Sequence, residues 1–498
     1  MTSNGNTDAF VAKWNAVTNS FAWVQRAGGA EDDEAAALAV AGTAVYVTGS
    51  FNGQFVGFGN IVLSSASNSS GFSTSDVFIA RINDLGASAG FAWAVQAGGT
   101  NTDYARALAV SGGSVYVAGD FFSGSARFGN ATLANSNSSF TDAFVAKLTD
   151  NATSASFVWA KKIGGIEYES AYALAVNDPF VYVAGSFFSS GASFDAISLN
   201  NTGLGEDIFI AKLVDAGTTA SFTWAQKAGG VNSDIAYALA VSGTSVYVGG
   251  SFYGATANFG NITLTSAGAL DAFVAKLVDA GSSGNFVWAQ RAGGTSSGEQ
   301  VNTLALNGTS VYVSGAFGST AGSFGTTTLT TAGGSDAFVA KLIDAGTTGS
   351  FSWAQRAGGT RMDGASSIAL GNGAVYVGGS IIPVATFGAF AINAPIGAST
   401  GFLASLADPT LTATAAALHP EGIRLFPNPA HGRATVQLPA GTATATLTIL
   451  DALGRTLRTQ TATPNSTTEL DLTGLAPGLY AVRVAVGSST ATHRLDVE

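Results

Sequence analysis

The chain has 498 residues, no cysteine and a net charge of −11, with 11% charged and 46% apolar residues. It is long enough for more than one domain and a large buried core. The acidic balance excludes the clustered Lys and Arg that nucleic acid needs, and the lack of thiols removes disulfides and thiolate metal sites. Apolar stretches such as Ala35–Val47 are too short, and too often broken by residues like Gly42 and Thr43, for membrane spans.

Met1–Ala9 has neither a basic n-region nor an apolar h-region, so a signal peptide is absent from this chain. The opening Thr2–Lys13 reads like the interior of a repeat, as comparison with Thr265–Lys276 shows, and a signal peptide with further repeat sequence is expected upstream. From there one paragraph recurs. Trp23, Trp93, Trp159, Trp224, Trp288 and Trp353 are spaced by 70, 66, 65, 64 and 65 residues, each opening W-x-x-x-x-G-G. An Ala-rich run follows (Ala37–Val40, Ala107–Val110), then VYV around Tyr46, Tyr116, Tyr182, Tyr247, Tyr312 and Tyr376, then DAFVAKL or a variant.

Within each copy the apolar period is two, the strand period. The predicted strands are ALAV, VYV-x-G, DAFVAKL and F-x-WAQ, with an additional F-G-x-x-x-L segment (Phe58–Leu63, Phe259–Leu264) before the third. Four antiparallel strands repeated at fixed period predict an all-β fold, a β-propeller over residues 1–406. ALAV, with small residues at alternate positions, suits the crowded axis, and the Trp set suits packing between blades. The last copy (Ser367–Leu370, Val375–Val377, Gly401–Leu406) lacks a Trp strand, and Phe21–Gln25 is a Trp strand without inner strands. Pairing the two, with Trp23 near Phe402, gives six blades; seven are possible, because Asp8–Lys13 is a surplus third strand.

All three histidines, His419, His431 and His493, follow the repeats, so the repeats hold no imidazole for a triad or a His metal site. Seven residues before the end of each ALAV-type strand stands an acid: Asp33, Asp103, Glu169, Asp234, Glu299 and Asp363. Either each accepts backbone N–H groups in its turn, or together they line one channel mouth and attract Ca²⁺ or a cationic ligand. Their even spread favours the structural role, as it does for the strand-opening Asp8, Asp76, Asp142, Asp207, Asp271 and Asp336. Positions that differ between copies point instead to a ligand. Four residues before the ALAV end come Ala36, Arg106, Tyr172, Tyr237, Asn302 and Ser366, and Phe122, Phe188 and Tyr253 each form the second member of an aromatic pair. Arg106, Tyr172, Tyr237, Asn302, Phe122, Phe188 and Tyr253 are candidate ligand contacts, able to stack a sugar ring or a partner's apolar side chain if exposed, and ordinary core if buried.

Residues 407–422 form an Ala/Thr/Pro-containing linker without period, and 423–498 a small β-sandwich with strands near Val436, Thr446, Thr456, Leu470, Tyr480 and Thr492, divided by turns at Leu453–Gly454 and Pro477–Gly478.

Two resemblances follow. Asp271–Gly294 and Ala238–Phe252 resemble the bacterial SBBP-type β-propeller repeats of large secreted or surface proteins, over about residues 8–406, which implies a propeller without implying a reaction. Leu425–Leu438, Leu447–Thr459 and Leu470–Val484 resemble, in order, the type A C-terminal sorting domain of the type IX secretion system of Bacteroidetes. That implies secretion or outer-membrane surface display, with the type IX machinery as partner and the tail usually removed. The functional expectation is a displayed binding or adhesion module for an extracellular glycan or protein. The alternatives are a carboxylate-using enzyme on extracellular polysaccharide and a structural spacer; evenly spread acids favour binding.

Overall fold

The computed structural model describes residues 2–16, 18–66, 74–201, 203–296, 298–371, 373–393, 399–408, 410–411, 424–438, 445–451, 456–463, 467–486 and 489–498. Among them every regular element is a β-strand, and no helix is long and apolar enough to cross a membrane. The expected linker lies largely outside the described residues, as do His419 and the Leu453–Gly454 turn. The chain divides into two units, Met1–Ala369 with Tyr376–Ala404, and Leu370–Val375 with Ser405–Glu498.

In the first unit the four strands of each of five copies pair in sequence order. In the fourth copy Asp234–Ser242, Ser245–Tyr253, Leu270–Asp279 and Gly284–Gly293 are successive antiparallel neighbours. Sheets of this plan begin at Asp33, Asp103, Glu169, Asp234 and Gln300. Strands lying between two neighbouring sheets must be apolar on both faces. Accordingly Asp142–Leu148, at the head of a third strand, is buried throughout, whereas the first strand Asp33–Ala41 alternates in exposure.

No copy encloses a core of its own. Tyr116 and Trp159 of the second copy pack with Val181, Val183 and Phe209 of the third, and Tyr182 and Trp224 of the third with Val246, Val248 and Phe273 of the fourth. Consecutive first strands lie side by side. Stability therefore resides in the seams, as in other repeat arrays.

Each seam also carries a polar clamp. Tyr182 Oη, Lys212 Nζ and Trp224 Nε1 of the third copy donate to the carboxylate of Asp279 in the fourth, at 2.6, 2.6 and 3.0 Å, and Gly281 N adds a fourth bond at 2.9 Å. Asp150 receives Tyr46, Arg81 and Trp93; Asp215 receives Tyr116, Lys147 and Trp159; Asp344 receives Tyr247, Lys276 and Trp288. Burial alone would raise these carboxyls, but the converging donors hold all four below the usual carboxylate range. The repeated Tyr, Lys and Trp are thus one device, which explains their recurrence at fixed spacing.

The F-G-x-x-x-L segments form hairpins that reach back to the preceding copy. Val56–Phe58 pairs with the fourth strand Ser20–Gly28, Gly322–Phe324 with Gly284–Gly293, and Ala385–Phe387 with Gly349–Gly359. Phe259 in one such hairpin stacks on Phe273 and Phe286 of its own copy, at 4.8 and 5.5 Å between ring centroids. Each hairpin so covers the edge of one sheet while anchored in the next.

The expected pairing of Phe21–Gln25 with Gly401–Leu406 does not form. Ser20–Gly28 lies against Ala9–Asn15, with Lys13 opposite Trp23; Trp23 Nε1 donates to Asp84 Oδ1 at 2.9 Å, and Phe402 stacks on Phe387, not on Trp23. Thr400–Ala407 forms a three-stranded sheet with Gly364–Gly371 and Ala374–Ile381. The strand taken as surplus wins because it is a sequence neighbour, reached with little loop-closure entropy.

The second unit contains two sheets: Arg424–Phe426, Arg433–Gln437 and Thr467–Asp471 in one, and Thr456–Ala462, Ala445–Leu450, Gly478–Val486 and Ser489–Val497 in the other. Val436, Leu447, Leu470, Val482, Val484 and Leu495 from both sheets make one core, the construction of a β-sandwich.

Candidate functional site

The ALAV strands explain where the variable residues sit. Against its second strand each first strand carries a β-bulge, with the register shift between Ala35 and Ala37, Ala171 and Ala173, Ala236 and Ala238, and Val301 and Thr303; in the second copy Ala105 and Ala107 flank the same break. The bulged residue is therefore Ala36, Arg106, Tyr172, Tyr237 or Asn302, the variable position of the sequence. A bulged residue has no ladder partner, so its side chain varies freely and is re-aimed out of the sheet.

Three of these side chains meet. The Arg106 guanidinium lies 5.0 Å from the Tyr172 ring centroid and 5.3 Å from that of Tyr104, and Tyr172 and Tyr237 are 5.4 Å apart at 60°. Arg106 is also fixed by two hydrogen bonds to Asp120, a carboxylate with 3% of its side-chain surface exposed. Burial raises the Asp120 carboxyl against the pull of Arg106, and burial likewise raises Glu206, with the charge of Asp120 adding to it. Tyr237 is pushed up to about 12, by burial first and then by Tyr172 and Glu206. Asn302 instead donates to Ala365 O at 2.8 Å and stands apart.

Asp120 and Glu206 break the repeat, and the even acidic set masked them in the sequence. At the position of Asp120 the other copies carry Ser50, Ser186, Ser251, Ala316 and Ser380, and at that of Glu206 they carry Ser75, Thr141, Leu270 and Ser335. An alignment of the copies by their VYV and DAF segments exposes both as lone acids.

The four aspartates of the even set accept backbone N–H groups in their turns. Asp33 accepts Gly29 N at 2.6 Å and Asn52 N at 3.1 Å; Asp103 accepts Gly99 N, Phe122 N, Ser123 N and Ser123 Oγ; Asp234 accepts Gly230 N and Tyr253 N; Asp363 accepts Gly359 N and Ile382 N. Glu169 and Glu299 are fully buried, with neither carboxyl oxygen in a hydrogen bond of good geometry. Among the described residues no three acids or histidines are grouped to hold a metal. The paired aromatics follow these turns: Phe122 and Phe188 are half-buried and Tyr253 is 46% exposed.

Residues 424–498 match the family described as the secretion system C-terminal sorting domain. No curated protein matches the chain. Residues 424–498 are thus a domain of the kind that directs export through the type IX secretion system, to the medium or the outer-membrane surface.

Proposed function

We propose that the chain is an exported β-propeller that binds an extracellular saccharide at the Arg106–Tyr172–Tyr237 shelf. Six first strands, from Asp33 to Gly371, would serve as its staves, with Ala9–Gly28 as the outer half of a further blade; SBBP-like repeats of this kind fit such a ring. The observation that carries the binding reading is the Arg106–Asp120 pair. A buried ion pair is a weak source of stability, and the other copies fold with Ser or Ala at that place. The pair immobilises Arg106 against Tyr172 and leaves the partly buried rings of Tyr172 and Tyr237 near Glu206, a platform suited to the C–H face of a sugar with its hydroxyls on the carboxyl. The lone acids Asp120 and Glu206 also give the polysaccharide-enzyme reading a footing, but Asp120 is locked on Arg106 away from any substrate.

A glycan array with the full chain, read for binding and cleavage, tests this. Tyr237→Ala and the double variant Arg106→Ser/Asp120→Ser, which restores the plain repeat, should lose binding while Glu34→Ala retains it; equal binding by all refutes the shelf, and product release marks an enzyme. Export is tested separately: deleting Ile423–Glu498 in a host with type IX machinery should leave the signal-bearing protein in the periplasm, and unchanged display refutes a sorting role.

A further inference from the structure

Arg106 brings one positive charge to the shelf, and Asp120 cancels it through two hydrogen bonds. Glu206 then adds a charge that nothing offsets. Its backbone O accepts Asp234 N at 2.7 Å, which ties it to the start of the strand that carries Tyr237. Its half-buried carboxyl acts electrostatically on Tyr172 and Tyr237 and feels Asp120. Among the described residues no Lys or Arg forms an ion pair with it. The Ser186 hydroxyl beside it is fully buried and makes no hydrogen bond of good geometry, so the carboxyl is satisfied neither by a cation of the protein nor by a well-placed donor. The rings add the rest. Tyr172 and Tyr237 stand 5.4 Å apart at 60°, and the Arg106 guanidinium, 5.0 Å from the Tyr172 centroid, already uses that ring as a cation platform. Among the described residues no cation lies over the ring of Tyr237.

We propose that the shelf selects an amino sugar, with its ammonium group on the Glu206 carboxyl beside the Tyr237 ring and its C–H face on the tyrosines. This rests on the saccharide reading of the shelf and adds which class of sugar it takes. An ammonium group is a compact positive charge with three N–H donors, and it meets both an unpaired carboxylate and the face of an aromatic ring. A neutral N-acetylated sugar would leave the Glu206 charge uncompensated in a partly buried place, which is costly. The electrostatics agree: burial raises the Glu206 carboxyl and the charge of Asp120 adds to it, and a bound cation reverses both. A lysine side chain would bring the ammonium group without a sugar's broad C–H face for the two rings.

Isothermal titration calorimetry of the full chain at about pH 6.5 compares a glucosamine disaccharide with its N-acetylated form and with Nα-acetyl-lysine amide. Wild type should bind the amino sugar at least about tenfold more tightly than the N-acetylated form. Glu206→Gln, with unchanged melting, should bind both sugars alike at the N-acetylated level, and Tyr237→Ala should lose both. Glu34→Gln, which removes an exposed charge elsewhere, should match wild type. Equal binding of the two sugars by wild type, with loss in Tyr237→Ala, overturns the amine preference and leaves the shelf standing. An amino-sugar affinity that survives Glu206→Gln, or that falls equally in Glu34→Gln, overturns the preference as mere attraction to an acidic chain. Binding of neither sugar overturns the shelf and the preference together. Lysine amide bound as tightly as the amino sugar overturns the sugar assignment in favour of a protein ligand.

Discussion

Removing the Asp279 carboxylate is the sharpest test of the seam. In Asp279→Ala, Lys212, with 3% of its side chain exposed, loses its counter-ion, and Tyr182 Oη and Trp224 Nε1 lose their acceptor. Breaking a buried pair from one side costs about 3–5 kcal/mol, and each orphaned donor about 1–3 kcal/mol. The donors share one carboxylate, so the costs overlap, and a total of about 5 kcal/mol is expected. Asp84→Ala is the internal comparison. There Lys13 is 40% and Asp84 18% exposed, so solvent takes up most of the loss and about 1–2 kcal/mol is expected. Urea unfolding of the full chain, followed by tryptophan fluorescence and far-UV circular dichroism, reads both. Lys212→Met combined with Asp279→Leu should recover at least half of the loss, because an apolar pair of similar volume needs no counter-ion. Equal destabilisation by Asp279→Ala and Asp84→Ala, or no recovery in the double variant, would refute the clamp.

Gly229→Ala should cost about 3 kcal/mol, since φ is +140° and the new Cβ would meet Asp207 Oδ1 at 2.3 Å; Gly217→Ala, also at positive φ but with open space around it, should cost about 1 kcal/mol in the same unfolding assay. Glu169 gives a pH signature. Burial, with the charge of Asp142 adding, pushes its carboxyl up to about 8 from 4.5. The folded chain then keeps a proton that the unfolded chain releases, so this stabilisation is full below the unfolded value and is lost as pH rises from about 4.5 to about 8. Glu169→Gln should match wild type near about pH 5 and exceed it by about 1–3 kcal/mol near about pH 8.5; a difference that ignores pH contradicts the assignment.

The strands and their order were legible because a period of two survives in every copy and Gly-rich turns separate the runs. The role of Trp224 between copies was legible in the same way, from its recurrence. Its acceptor was not: Asp279 lies 55 residues downstream of Trp224, and nothing local marks the indole's partner. The hairpin at Phe58 was visible as a segment, but its pairing with Ala27 of the preceding copy is tertiary and leaves no periodicity to read. For the proposed site, variation between copies singled out Arg106, Tyr172 and Tyr237, and the structure places all three at the bulge. Asp120 and Glu206 escaped because they sit in segments otherwise read as architecture.

That failure shows how such a chain separates folding from function. A seam whose carboxylate is saturated by Tyr, Lys and Trp of one neighbour tolerates little change, so those residues repeat. Freedom remains where the ladder leaves a residue unpaired, at the bulge, and at the residues after VYV-x-G and before DAF. Arg106, Asp120 and Glu206 occupy one position of each kind, and they interact across consecutive copies. A ligand site can therefore be written into two or three copies without disturbing any clamp. Repetition marks what holds this protein together, and departures from it mark where outside molecules have a reason to bind.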